Sequence, residues 1–161
     1  MPSGEVDTSS LQSEILARGK SLFVPKITSK HGDMDFLKVY GVEDLDSFPS
    51  GLWGIREPDD KWQGSPRQAG RKIFLFHPSS DTLLDIILVP GVAFDKSFSR
   101  LGHGKGYYDR FIASYSANGK PRPLLVALSL REQILEAGAV PVDEHDWKMD
   151  LIVTSDAVLR R

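Results

Sequence analysis

The stretch RLGHGKGYYDRFI, residues 100–112, concentrates the residue types of phosphate chemistry. Gly102, Gly104 and Gly106 alternate with His103 and Lys105; Arg100 and Leu101 lead in, and Tyr107, Tyr108 and Asp109 follow. Glycines let backbone N–H groups approach an anion closely. A helix starting near Gly106 aims its positive N-terminal end at the same place. Arg100 and Lys105 add full charges, and His103 can add a partial one. Asp109, one turn into that helix, does not suit direct phosphate contact; it suits a cation that bridges phosphates, above all Mg²⁺. The spacing is neither the dinucleotide fingerprint G-x-G-x-x-G nor a Walker loop. On the local pattern alone a competing reading stands, a glycine-rich turn with Asp109 in the first helical turn and the tyrosines in the core.

Three other segments carry chemistry less directly. PVDEHDWKMDLIVTSD (141–156) crowds Asp143, Glu144, Asp146 and Asp150 ahead of an apolar run, so one carboxylate can share a metal with Asp109, or the loop is simply solvated. Trp53, in SGLWGIREP, either stacks on a flat heteroaromatic ligand or pins its loop to the core. Glu5, in GEVDT, either receives a ligand's N–H groups or complements a helix dipole. His31, His77 and His145 read as surface histidines, and no Ser-His-Asp order or metal-binding histidine pair emerges.

These residues need elements to position them. The apolar stripe Leu11, Ile15, Leu16 predicts a helix over 8–19, capped by Thr8, Ser9 or Ser10 and stopped by Gly19. SLFVP (21–25), MDFLKVY (34–40) and KIFLF (72–76) read as strands, with 41–72 mostly loop. LLDIILVP (83–90) is the strongest strand signal and fits a central parallel strand covered on both faces. A long loop follows, of roughly 15 residues against the usual two to six. A helix is expected over 106–118, then a strand at 123–130, a short helix at 131–139 and a strand at 150–156. Strands alternating with helices predict an α/β fold with a mainly parallel sheet. In such sheets ligands bind beyond the carboxyl ends of the strands, where the glycine loop falls.

Composition narrows the function class. The chain has 161 residues, room for one domain with a full core. A net charge of −2 argues against nucleic-acid or membrane steering, and the absence of cysteine excludes disulfides, thiol catalysis and cysteine zinc sites. No apolar run approaches the roughly 18–20 residues of a membrane span, and MPSGEVDTSS is not a secretory signal. The expectation is a cytoplasmic protein, with a mitochondrial location left open.

Taken together, MPSGEVDT, FVPKI, LWGIREP, LDIILVPGVAFDKSFSRLGHGKGYYDRF, LSLREQI and VPVDEHDWKMDLIVT resemble the 5-formyltetrahydrofolate cyclo-ligase family, in the family's order and over nearly the whole chain. The resemblance implies a three-layer α/β sandwich similar to ribose-5-phosphate isomerase and CoA transferases. It implies a ligase that uses ATP and Mg²⁺ to turn 5-formyltetrahydrofolate, with or without a polyglutamate tail, into 5,10-methenyltetrahydrofolate, ADP and phosphate. By the same resemblance Arg100 to Tyr108 are the ATP loop, Arg100 and Lys105 its catalytic cations, and His103 to Tyr107 also meet the folate. Asp109 and Asp146 are then the Mg²⁺ ligands, and Glu5 and Trp53 flank the folate. Family members begin with basic helices, a Lys/Arg pair for ATP and a first strand. The chain therefore reads as a single cyclo-ligase-like domain over 1–161, shortened at its N-terminus by about 50 residues on typical domain proportions. A monomer is expected, with an edge-strand dimer as the alternative. The competing functional readings are a folate- or nucleotide-binding remnant without turnover and, on fold alone, a sugar-phosphate isomerase-like enzyme.

Overall fold

A computed structural model of the chain describes residues 6–28, 33–49, 56–70, 83–117 and 119–161. Contacts divide them into two units, Asp7–Leu83 and Leu84–Arg161, with Val6 joining the second. The expected strand at 72–76 and residues Glu5, Trp53, His31 and His77 lie outside the described residues.

The first unit opens with α1 (Ser9–Ala17). Its cap is not a hydroxyl: Asp7 Oδ1 accepts the Ser9 N–H at 2.9 Å, while Thr8 in the cap position makes no side-chain bond to the helix backbone. Gly19 ends it as expected, at φ +66°, where L side chains are strained. β1 (Leu22–Ile27) and β2 (Met34–Val39) pair antiparallel from Leu22↔Val39 to Ile27↔Met34. Met34, Phe36, Leu37 and Val39 are buried, so β2 carries the apolar centre of this unit. The 41–72 stretch is less loop than expected. It holds α2 (Val42–Asp46) and a hairpin of β3 (Lys61–Trp62) and β4 (Ser65–Pro66). Arg67 follows β4 directly. Its Nη1 and Nη2 donate to Asp44 Oδ2 and Oδ1 at 2.6 and 2.5 Å, and its Nε donates to Asp59 O at 2.7 Å.

The second unit holds β5 (Ile86–Leu88), β6 (Ala93–Asp95), β7 (Arg100–Leu101), α3 (Tyr107–Ala117), β8 (Leu124–Leu128), β9 (Ile134–Leu135), β10 (Leu151–Val153) and β11 (Val158–Arg160). The main sheet runs β11-β10-β8-β5, with β5, β8 and β10 parallel and β11 antiparallel at one edge. The fold is thus α/β with a mainly parallel sheet. Ile87, Leu125, Ala127 and Ile152 are buried in it. Phe111, Ile112 and Tyr115 of α3 are buried too, at the i, i+1, i+4 spacing of one helical face. Tyr115 also accepts the Leu84 N–H on its hydroxyl, at 2.7 Å.

Two expectations change here. Among the described residues β5 is a sheet edge rather than a central strand, and Ile86 and Leu88 are 55% and 37% exposed. An apolar run records hydrophobicity, not which neighbour covers it. The helix expected over 131–139 is a single 3₁₀ turn, Arg131–Gln133, followed by β9. There Gln133 spends its side chain elsewhere: Oε1 accepts the Leu130 N–H, and Nε2 donates to Gly91 O and Val92 O. Ile134 then pairs with Phe94, giving a second sheet of order β7-β6-β9.

Candidate functional site

The long loop after β5 is largely structured, because Asp95 organises it. This carboxylate is fully buried and accepts four backbone N–H groups. Oδ1 takes Ser97 and Ser99 at 2.9 and 3.0 Å, and Oδ2 takes Gly138 and Val140 at 3.0 and 3.2 Å. Burial opposes its ionisation, yet the four donors together hold its pKa below the usual carboxylate value. The result is a tight turn at Asp95–Ser99, with Phe98 at φ +64°, that folds β7 back on β6 and delivers Arg100 opposite Phe94. Asp95 was not among the residues singled out from the sequence. The signal was there in D-K-S-F-S, an aspartate two and four residues ahead of hydroxyl residues, the pattern of an Asx turn.

Arg100 is held on several sides. Nη1 donates to Pro90 O at 3.2 Å and Nη2 to Asp109 Oδ2 at 2.6 Å. The guanidinium lies 6.0 Å from the Tyr108 ring centroid. Two glycines make room for it: a Cβ on Gly91 would come 3.0 Å from Arg100 Cγ, and one on Gly102 would come 2.6 Å from Nη1. Gly102 therefore serves the arginine, a packing reason beside the ligand room expected of it. The Arg100 and Asp109 side chains are 9% and 13% exposed. Arg100 Nε is buried without a hydrogen-bond partner among the described residues.

The rest of the loop faces outward. His103, Gly104 and Lys105 are exposed, and Gly104 and Gly106 stand at φ +74° and +63°. Leu101 is 39% exposed. Gly106 O accepts the Arg110 N–H at 3.1 Å, which starts α3. Tyr107 and Tyr108 are half-buried rather than core residues, and the Arg110 guanidinium lies 5.7 Å from the Tyr107 ring centroid. Burial pushes the Tyr108 phenol up to about 12, with Arg100 pulling the other way, so it stays protonated at neutral pH.

The structure brings the 141–150 segment to this loop. Trp147 N–H donates to Asp109 Oδ1 at a long 3.3 Å, setting the residue after Asp146 against the Asp109 carboxylate. Asp146 is exposed and uses Oδ2 to accept the Asp143 N–H at 2.7 Å. Asp143, Glu144 and His145 also lie within reach of one another, all exposed. Asp150 does something different from metal binding. Arg122 donates to both its oxygens at 2.8 and 3.1 Å and the Leu125 N–H to Oδ2, and against the cost of burial these hold its pKa low.

The loops at the carboxyl ends of β5 and β8 are tied through Gln133, which links Leu130 to Gly91 and Val92. Beside them is a cavity of about 350 Å³, lined by Val6, Leu128, Leu130, Arg131, Val153 and Thr154 among others. It lies where parallel α/β sheets bind ligands, at the ends of β8 and β10.

A family model described as the 5-formyltetrahydrofolate cyclo-ligase family matches residues 1–155. A probable 5-formyltetrahydrofolate cyclo-ligase of Caenorhabditis elegans is 38% identical over 94% of this chain and 68% of its own length. One from Schizosaccharomyces pombe is 37% identical over 99% and 74%. An Arabidopsis thaliana relative, 37% identical over 96% of this chain and 56% of its own length, is named as mitochondrial. Among solved structures, a 5,10-methenyltetrahydrofolate synthetase from Mycoplasma pneumoniae aligns with a TM-score of 0.56 at 20% identity, over 94% of this chain. The chain spans 66% of that protein's length. At that identity the likeness speaks for the fold, a three-layer α/β sandwich. Among the described residues no helix is long and apolar enough to cross a membrane.

Proposed function

Because the chain belongs to the 5-formyltetrahydrofolate cyclo-ligase family, a family of enzymes, we propose that it performs that family's reaction with ATP as co-substrate. The observation that carries the reading is the cluster after β5. One loop gathers a buried arginine, an exposed lysine, left-handed glycines and a carboxylate at a helix start.

The formyl oxygen of 5-formyltetrahydrofolate is a poor leaving group. In the proposed reaction it attacks the γ-phosphorus of ATP; the new O–P bond forms as the bond to the β-phosphate oxygen breaks and ADP departs. N10 then attacks the activated carbon, the C–O bond breaks, and inorganic phosphate leaves. N10 loses its proton to solvent, giving the 5,10-methenyl ring. This chemistry asks the protein for position and charge rather than a nucleophile. Lys105 reaches outward to neutralise phosphate oxygens, and the N–H groups of 102–106 with the α3 N-terminus bind them. His103 and Tyr107 are the residues of this loop that we read as folate contacts. The cavity at the ends of β8 and β10 offers room for a fused ring.

Asp109 and Asp146 suit Mg²⁺, since both offer hard carboxylate oxygens, and the long Trp147 contact leaves Asp109 Oδ1 lightly engaged. Held there, Mg²⁺ would neutralise charge developing on the phosphates. The protein is expected to act as a monomer in the cytoplasm or, like its Arabidopsis relative by name, in mitochondria.

The test is direct. The protein is mixed with 5-formyltetrahydrofolate, ATP and Mg²⁺, and the methenyl chromophore is followed optically. Formation of product that depends on ATP and collapses in Asp109→Ala is expected. No product from folded wild-type protein would overturn the reading.

A further inference from the structure

Asp109 is asked to serve two cations, a metal ion and Arg100. As a metal ligand it must present a lone pair to a cation. In the structure Oδ2 already holds a cation, the Arg100 guanidinium at 2.6 Å, in a setting where both side chains are about nine-tenths buried. A divalent ion and a guanidinium this close to one carboxylate repel each other strongly, because little water is present to screen them.

Arg100, for its part, is incompletely served. Among the described residues Nη1 reaches only a carbonyl at 3.2 Å, and Nε is buried with no acceptor. A buried charged donor left without a partner calls for an explanation. It is also next to open backbone: Gly102 follows it by two residues, and exposed Gly104 has nothing within 4 Å of where its Cβ would be. An oxyanion arriving at this loop meets a guanidinium with unspent N–H capacity, and phosphate accepts the planar fork of arginine as well as carboxylate does.

We propose that Arg100 masks Asp109 in the ligand-free protein. A nucleotide phosphate draws the guanidinium off Oδ2, and Asp109 becomes available to a divalent cation only then. The inference rests on the nucleotide and metal reading of this loop given above. It makes the free protein a poor binder of divalent metal alone, and it makes nucleotide and metal binding mutually reinforcing, as linkage requires.

Mn²⁺ provides the probe, titrated into nucleotide-free protein and followed by electron paramagnetic resonance. Wild type should bind weakly. Arg100→Ala should bind Mn²⁺ roughly tenfold tighter or more, the usual scale for removing an opposite charge beside a carboxylate. Adding Asp109→Asn to that variant should abolish the gain. An Arg100→Ala protein with native circular dichroism and unchanged Mn²⁺ affinity would overturn the proposal.

A second measurement needs no mutation. With ¹⁵N-labelled arginine, the Arg100 Nε–H resonance should stay in place on adding Mg²⁺ alone and move on adding a non-hydrolysable ATP analogue. Movement with Mg²⁺ alone would show the metal displacing the arginine unaided, and the proposal would fall. The Mn²⁺ titration contains neither folate nor nucleotide, so its failure is distinct from absent turnover, which would sink the functional reading instead.

Discussion

Two buried arginine–aspartate pairs, one in each unit, use the same groups to opposite ends. In the first unit Arg67 grips both oxygens of Asp44, with side chains 2% and 0% exposed. Its remaining capacity is spent on Asp59 O and Lys38 O, while Tyr40 N–H donates to Asp44 at 2.9 Å. The Tyr40, Phe48 and Trp62 rings surround the guanidinium at 5.9, 5.4 and 5.7 Å. In the second unit Arg100 makes one bond to Asp109, one longer bond to a carbonyl, and leaves Nε unserved. A buried ion pair offsets its desolvation only when geometry and additional hydrogen bonds are complete. The first pair meets that condition and reads as structure. The second does not, and the unmet donor is what points it toward a ligand.

The contrast is easiest to break at Asp44. Asp44→Ala strands a buried guanidinium, and a loss of about 3–5 kcal/mol in urea unfolding is expected. Replacing both partners, Asp44→Leu with Arg67→Met, should cost clearly less, since no charge is left behind. Equal losses in the single and double variants would show that shape, not charge, is what matters there.

Asp109→Asn should behave in the opposite way. Turnover should fall on the order of 10²–10³, the scale of a lost transition-state charge partner. The cost in stability should stay below that of Asp44→Ala, as asparagine keeps a side-chain oxygen that can accept from Arg100. Parallel activity assays and urea midpoints check both halves.

Acid provides a third test. Burial opposes ionisation at Asp44 and Asp95, but hydrogen bonds overcome it, and each is held below the ordinary 3.8. A carboxyl with a lowered folded-state pKa binds its proton more readily in the unfolded chain. Its contribution is therefore complete above about pH 4 and is lost as pH falls through the folded value. Unfolding midpoints should be flat from pH 7 to about 4.5 and drop below 4, less steeply in Asp95→Asn, which starts lower.

The smallest effect is expected at Gly102→Ala. The added Cβ meets Arg100 Nη1 at 2.6 Å, the far end of a long side chain, so the fold should lose less than about 1 kcal/mol. The arginine must leave its place, however, and KM for ATP should rise roughly tenfold, about 1.4 kcal/mol. A large stability loss with unchanged KM would return Gly102 to a purely structural role.

Much of the second unit was legible beforehand. The runs read as strands at 83–90, 123–130 and 150–156 contain β5, β8 and β10, and the helix read at 106–118 is there as α3 at Tyr107–Ala117. These depend on period and local composition, which a sequence displays. The two-residue strands β7 and β9 were invisible, since they exist only through the partner β6. The 131–139 helix was misread because Gln133 has better acceptors across the fold than along it. Asp95 was missed although its Asx pattern is local, for its other two donors, Gly138 and Val140, lie more than forty residues on.

For the candidate site, the residue types and their crowding after the strongest strand were readable from the sequence alone: glycines at every second position, cations between them, a carboxylate one turn into a helix. What the chain could not display is which cation each carboxylate meets. Arg100, Lys105 and Arg110 are equivalent in composition; only folding buries the first against Asp109 and leaves the second and third exposed. Ion pairing depends on distance and on access to water, both set through space by β6, Gly91 and Gly102, and neither has a period that a one-dimensional pattern can carry.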